Sequence, residues 1–232
     1  MKKILLYHWV LTALLLAATA SCYGDQRLEA GFTPLISSKN LVSDWTVRAW
    51  HEVSEPSEAR WKLADGVLHG GEPRGSWLLS KQEYDDFELR FEFKLGEQGN
   101  SGLALRAPLE GDPAFDGIEL QMADLRYNPE ALDSELTGGL YRAVAPRKQV
   151  YKPTEWNQYR VRLKGERLKA WLNGELIHDL DLAKQAQPVK RHDGRPAPPL
   201  KDRPRRGHIG FQELSRGGAH VLIRDARIRT FD

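Results

Sequence analysis

One cysteine in 232 residues is too few for an internal disulfide, so Cys22 has no partner and the fold must stand on packing. A surplus of one charge sign is missing as well. The chain carries 34 Lys and Arg against 32 Asp and Glu. Two of those lysines lie in residues 1–21, which hold no acid, so the remainder balances at 32 against 32. A balanced chain offers no overall argument for nucleic acid or for an anionic surface as partner. The apolar run at the start is too short for a membrane-spanning helix. No stretch keeps a capped helical period, which excludes a helical bundle. His69, His178, His208 and His220 stand at no metal-motif spacing, so any metal site must assemble from distant residues.

What is present begins with an export signal. Lys2 and Lys3 form a positive region, Val10 to Ala18 an apolar one, and Thr19-Ala-Ser21 lead into Cys22. Residues 1–21 are expected to be a signal peptide and 22–30 a tether, with a single domain over 31–232. Cys22 sits where a bacterial lipoprotein carries its lipid. The alternatives are lipidation of Cys22 or cleavage without lipid. The expected location is the periplasm or the outer membrane, and any membrane contact comes through that lipid alone.

From Gly31 onward the chain reads as short strands and turns. Phe87, Leu89, Phe91 and Phe93 alternate with Glu88, Arg90, Glu92 and Lys94, a half-buried strand. Tyr159, Val161 and Leu163 repeat the pattern. Asp65-Gly66 and Asn173-Gly174 are hairpin signals, because both central positions of such turns need positive φ. Residues 185–207 hold five prolines and many charges, which predicts a long exposed loop over the binding face. About a dozen strands of this kind predict an all-β, two-sheet antiparallel sandwich.

The organising stretch is Asn100 to Asp124. Leu103 and Leu105 point one way, Ala104 and Arg106 the other. In the next strand Ile118, Leu120 and Met122 share the apolar face, while Gly117, Glu119, Gln121 and Ala123 share its opposite. Small residues beside convergent polar groups describe either the floor of a shallow cleft or an ordinary polar sheet face.

The motifs Ala64-Asp-Gly-Val-Leu-His69, Tyr84-Asp-Asp-Phe-Glu-Leu89, Asn100-Ser-Gly102 and Gly117-Ile-Glu-Leu-Gln121 occur in that order. They are followed by Thr137-Gly-Gly-Leu-Tyr141, Lys152-Pro-Thr-Glu-Trp-Asn157, Trp171-Leu-Asn-Gly174 and Gly207-His-Ile-Gly-Phe-Gln212. This ordered set resembles the 3-keto-disaccharide hydrolase family across residues 31–232. The resemblance implies a concanavalin-like jelly roll and a carbohydrate substrate whose ketone is made by a separate sugar 3-dehydrogenase. The chain departs from the family at Leu214, where many members carry His after Asp, and at Ile223-Arg-Asp-Ala226. His208 or His220 is the candidate to replace the lost histidine.

Only Glu119 among positions 117, 119 and 121 is a carboxylate, which disfavours double displacement by two strand carboxylates. A 3-keto sugar changes the requirement, because the ketone acidifies the C2 proton. Removal of that proton, loss of the C1 substituent and addition of water give net hydrolysis. The chemistry needs a base, an enolate stabiliser and a proton donor. Glu119 reads as the base or as an ion-pair partner of Arg106. Arg106 reads as the enolate stabiliser, and Asp124 as an acid, a metal ligand or a loop cap. Tyr141 reads as a proton donor or a stacking platform. Gln121, Gln212, Lys152 and Asn100 are the candidates for binding the sugar. No cofactor is required, and a divalent metal is compatible with this scheme. The reading from another class is a non-catalytic, lectin-like carbohydrate-binding module.

Overall fold

The computed structural model describes residues 31–231. The expected signal segment, Cys22 and the tether lie outside these residues. Fifteen strands form in chain order. The first six are β1 (Thr33–Pro34), β2 (Trp45–Ala49), β3 (Arg60–Ala64), β4 (Val67–Glu72), β5 (Ser76–Tyr84) and β6 (Phe87–Lys94). β7 (Asn100–Ala107) leads through the one-turn helix α1 (Pro113–Asp116) to β8 (Ile118–Ala123). Then come β9 (Asn157–Lys164), β10 (Arg167–Leu172) and β11 (Glu175–Asp181). β12 (Val189–Lys190), β13 (Pro196–Ala197), β14 (Gly207–Glu213) and β15 (Leu222–Thr230) complete the chain.

They build two antiparallel sheets face to face, the sandwich that the alternation predicts and the jelly roll that the resemblance implies. One sheet runs β11-β10-β9-β6-β15-β4-β3, with β1 added beside β15. The other runs β2-β5-β14-β7-β8. The hairpin signals are real: Asp65-Gly66 joins β3 to β4 with φ of 50° and 75°, and Asn173-Gly174 joins β10 to β11 with 52° and 84°.

The core lies between the sheets. Phe87, Leu89, Phe91 and Phe93 of β6 face Leu103, Leu105, Ile118, Leu120 and Met122 of β7 and β8, all buried. Each such side chain contributes about 1.5–3 kcal/mol relative to exposure. Phe91 meets Phe211 edge-on at 5.3 Å, and Phe93 stacks on Tyr159 at 5.0 Å. Tyr159 reaches across this core and its hydroxyl donates to the Gln121 carbonyl at 2.8 Å, tying one sheet to the backbone of β8.

Two expectations need correction. Residues 185–207 are not simply an exposed loop. β12 and β13 pair within this segment, and it buries Val189, Ala197 and Leu200. It packs on Ala114 and Phe115 of α1 and covers one side of the β7–β8 face. Arg106 does not share the face of Glu119. It is the extra residue of a β-bulge: Ala107 pairs with His208 and Ala104 with Gly210, leaving two residues of β7 opposite one of β14. Its φ of 52° breaks the alternation. The side chain turns under the Asp85–Asp86 corner and donates to the carbonyls of Asp85 (2.8 and 2.6 Å) and Gly165 (3.1 Å) and to Asp86 Oδ1 (3.2 Å).

Arg106 is therefore a structural pin, 1% exposed. Arg106→Met should lower unfolding free energy by about 2–4 kcal/mol, since it strands buried carbonyls. Urea titration measures this, and the folded fraction should keep its ligand affinity.

Candidate functional site

The outer face of β7 and β8 forms the floor of a cavity of about 620 Å³. Its walls are the segment 127–136, Tyr141, Trp50 and Arg74, and the tip of the 189–197 hairpin. At its inner end a slot of about 20 Å³ is lined by Glu119, Asp112, Asn100, Gln121 and Gln212. That is room for a single water-sized group.

Glu119 is central to the slot. Gln121, its neighbour on this face, pairs across the strands with Gly102, and a side chain at 102 would overlap the Glu119 carboxyl. The carboxyl is 2% exposed and its Oε1 has no hydrogen-bond partner. Burial, reinforced by the charge of Asp112, pushes its proton affinity well above the usual carboxylate range, and Arg203 pulls the other way.

Asp112 is the second carboxylate, and no strand alternation could supply it. It caps α1: Oδ1 accepts from the Ala114 amide at 3.0 Å and Pro113 follows in the first turn. Burial is the main cause that raises its pKa to about 6, with the neighbouring Asp116 adding to the shift. The Asp-Pro pair after a glycine was the signal in the sequence that marks such a cap. The strand provides one carboxylate and the loop before it provides another.

Arg203 was also missed. It lies behind both acids, 3% exposed, and donates to the carbonyls of Ala114 (3.1 Å), Gly117 (2.9 Å) and Pro198 (2.9 Å). These bonds fix the segment between Asp112 and Glu119. Burial lowers its pKa to about 10.

The remaining expected residues divide. Asn100, Gln121, Gln212 and Tyr141 all line the slot. Asn100 Oδ1 is buried without a partner, and Gln121 Oε1 accepts from the Met122 amide at 2.8 Å. Tyr141 meets His192 Nε2 at 3.3 Å. Burial, then the nearby Glu119, raise its pKa, so its hydroxyl stays protonated. Asp124 lines the wide cavity but its oxygens are engaged by Arg126 (2.7 and 3.0 Å) and Tyr151 (3.1 Å). Burial favours its proton, but these bonds win and hold its pKa below normal. Lys152 is exposed, its amide donates to Asn157 Oδ1, and it lines neither slot nor cavity.

Leu214, at the position of the missing histidine, does line both spaces. His208 is bonded to the Ser80 carbonyl at 2.7 Å, and His220 lies near Glu72 and Glu213. Neither lines the cavity. The imidazole that does is His192, presented by the 189–197 hairpin, which Arg191 anchors to Asp116. Nothing in a Pro-rich, charged loop distinguished it beforehand. Among the described residues no three His, Cys, Asp or Glu side chains gather as a metal site would require.

The sequence profile of the 3-keto-alpha-glucoside-1,2-lyase-like domain matches residues 31–229. The chain belongs to this family. No curated protein sequence matches it. The 3-keto-glucoside lyase-like chain is similar to a proposed glycosyl hydrolase from Parabacteroides distasonis, at 26% identity, 86% of this chain, 99% of that one and TM-score 0.69. A second protein so described from that organism matches at 22% identity, 86% and 99% coverage and TM-score 0.63. A protein of unknown function with a galectin-like fold from Bacillus subtilis follows at 14% identity, 86% and 94% coverage and TM-score 0.51. The last two show the fold alone. Family and fold together make this lyase-like chain a carbohydrate-related domain.

The Asp112 shift has a sign. A carboxyl whose pKa is raised on folding costs stability as pH climbs from its unfolded value to its folded value near 6. Asp112→Asn should therefore raise the melting temperature relative to wild type at pH 7. The gain should shrink below pH 6 and vanish below about pH 4. Thermal melts from pH 4 to 8 read this directly.

Proposed function

We propose that this domain cleaves 3-keto-glycosides by removing the C2 proton and expelling the C1 substituent, with water then adding back. The observation that carries the reading is the pair of buried carboxyls, Asp112 and Glu119, lining one slot. Asp112 ionises first, near 6, while Glu119 retains its proton. Two titratable groups held apart in this way suit a base and an acid acting together. Asp112 takes the C2 proton, and Glu119 gives one to the departing oxygen. Tyr141, with its hydroxyl protonated, is the donor available to the enolate oxygen.

This division reassigns the work expected of Glu119 and Arg106. Glu119 serves as acid because its site is too dry to hold a charge at rest. Arg106 plays no part because it lies in the bulge. Gln121, Gln212 and Asn100 offer amides to the sugar hydroxyls, and Asn100 Oδ1 is buried without a protein partner. Trp50 adds an aromatic wall. The ketone must come from an oxidising enzyme upstream, because the elimination itself transfers no hydride. A carbohydrate-binding module would need the cavity but not the unpartnered buried acid.

A 3-keto-glycoside labelled with deuterium at C2 tests the reading. Elimination should release the label to solvent during turnover. Full retention with cleavage would mean direct displacement by the two carboxyls, and binding without cleavage would mean a binding module. Glu119→Gln and Asp112→Asn should each lower kcat about 10²–10⁴-fold with little change in binding. Activity should rise with pH through about 6 as Asp112 ionises and fall again where Glu119 loses its proton. In Asp112→Asn the rising limb should disappear.

A further inference from the structure

The face of the sandwich turned away from the cavity carries charge that the whole-chain balance hides. Alternation in β6, β9 and β15 sends Phe, Tyr, Val, Leu and Ile inward and the polar residues outward. The register then stacks cations on one another. Arg160 of β9 lies opposite Arg90 of β6, and Arg90 lies opposite Arg227 of β15. Three arginines in one cross-strand row is a costly arrangement, because like charges directly opposite destabilise a sheet. One row along, Arg162 and Arg229 flank Glu88.

Glu88 moderates the repulsion. It is fully buried and binds Arg90 (3.0 Å), Arg160 (2.7 Å) and Arg229 (2.8 Å), so one negative charge serves three guanidinium groups. Arg162 and Lys164 stand over the Phe231 ring at 4.8 and 5.7 Å, with no acid paired to either among the described residues. Among the described residues the acid nearest Arg227 in an ion pair is Asp225, at 3.8 Å. The Phe231 ring thus supports Arg162 and Lys164 in place of a carboxylate, which leaves their charge available to an outside anion.

The chain also enters the fold on this side. Gly31 lies against the Arg229 side chain, and Arg90 and Arg229 both cover the Phe32 ring at 4.7 Å.

We propose that the outer face of β6, β9 and β15 docks on an anionic lipid surface, its arginines meeting headgroup phosphates, with the cavity facing away from the membrane. Guanidinium groups in fixed rows suit phosphate oxygens, and a basic face gains binding in proportion to the charges within a Debye length of the surface. The docking is electrostatic and needs no lipid on the protein.

The test is co-sedimentation of the mature chain, bearing Cys22→Ser to remove any lipid, with vesicles of phosphatidylcholine alone or with 30 mol% phosphatidylglycerol. Binding to the anionic vesicles only, abolished in 0.5 M NaCl, is expected. The triple variant Arg162→Gln, Lys164→Gln, Arg227→Gln removes three charges without touching the Glu88 bonds. It should weaken that binding about 10²-fold while its melting temperature stays near wild type. Equal sedimentation with both vesicle types, no sedimentation with either, or a triple variant that binds as wild type would each overturn the proposal. So would binding to polygalacturonate with none to the vesicles, which would make the face a site for acidic polysaccharide.

Discussion

Both faces of the β7–β8 pair are buried, and much of the molecule follows from that constraint. A strand at a sheet edge ordinarily buries one face and wets the other. In β8 every residue from Ile118 to Ala123 is buried. Ile118, Leu120 and Met122 meet the opposing sheet. Glu119 and Gln121 meet a cover built from α1, the 138–141 segment and the 189–197 hairpin. The 138–141 segment runs along β8 with bonds from the Tyr141 amide to the Glu119 carbonyl at 3.0 Å and from the Gln121 amide to the Gly139 carbonyl at 2.8 Å. Polar side chains are thereby enclosed on a floor that alternation alone would leave open to solvent.

Enclosure has an energetic consequence. Glu119 Oε1 and Asn100 Oδ1 are buried without protein partners, and each such atom costs about 1–3 kcal/mol. Arg203 offsets part of that by pinning the backbone between Asp112 and Glu119, but its own Nη2 is also unsatisfied. Two of these atoms, Glu119 Oε1 and Asn100 Oδ1, belong to residues that line the slot. Asp124, in the wide cavity, shows the opposite: its oxygens are taken by Arg126 and Tyr151.

The sequence made the faces legible and left the covers unread. Period-two alternation separated Leu120 from Glu119, and Asp65-Gly66 and Asn173-Gly174 fixed two hairpins, because those signals are local. Arg106 was misplaced because one residue with positive φ shifts the parity, and a bulge depends on the register with β14 rather than on its own neighbours. Asp112, His192 and Arg203 come from loops whose positions depend on what they pack against. Asp112 alone left a local trace, as a helix cap before Pro113. The basic outer face was invisible for another reason: composition sums over the molecule, whereas a surface is sorted by strand parity and sheet order.

Gly102 carries a consequence for how this pocket can change over generations. The Glu119 carboxyl occupies the volume that any larger residue at 102 would need. The β7 side of the acid is thus closed to gradual substitution, since even one added methyl evicts the carboxyl. Variation must enter from the other wall, through Leu214, the 127–136 segment and the hairpin that presents His192. A lineage exploring new sugars on this scaffold would keep the strand fixed and rewrite the loops, so that diversity concentrates in the roof while the floor stays constant.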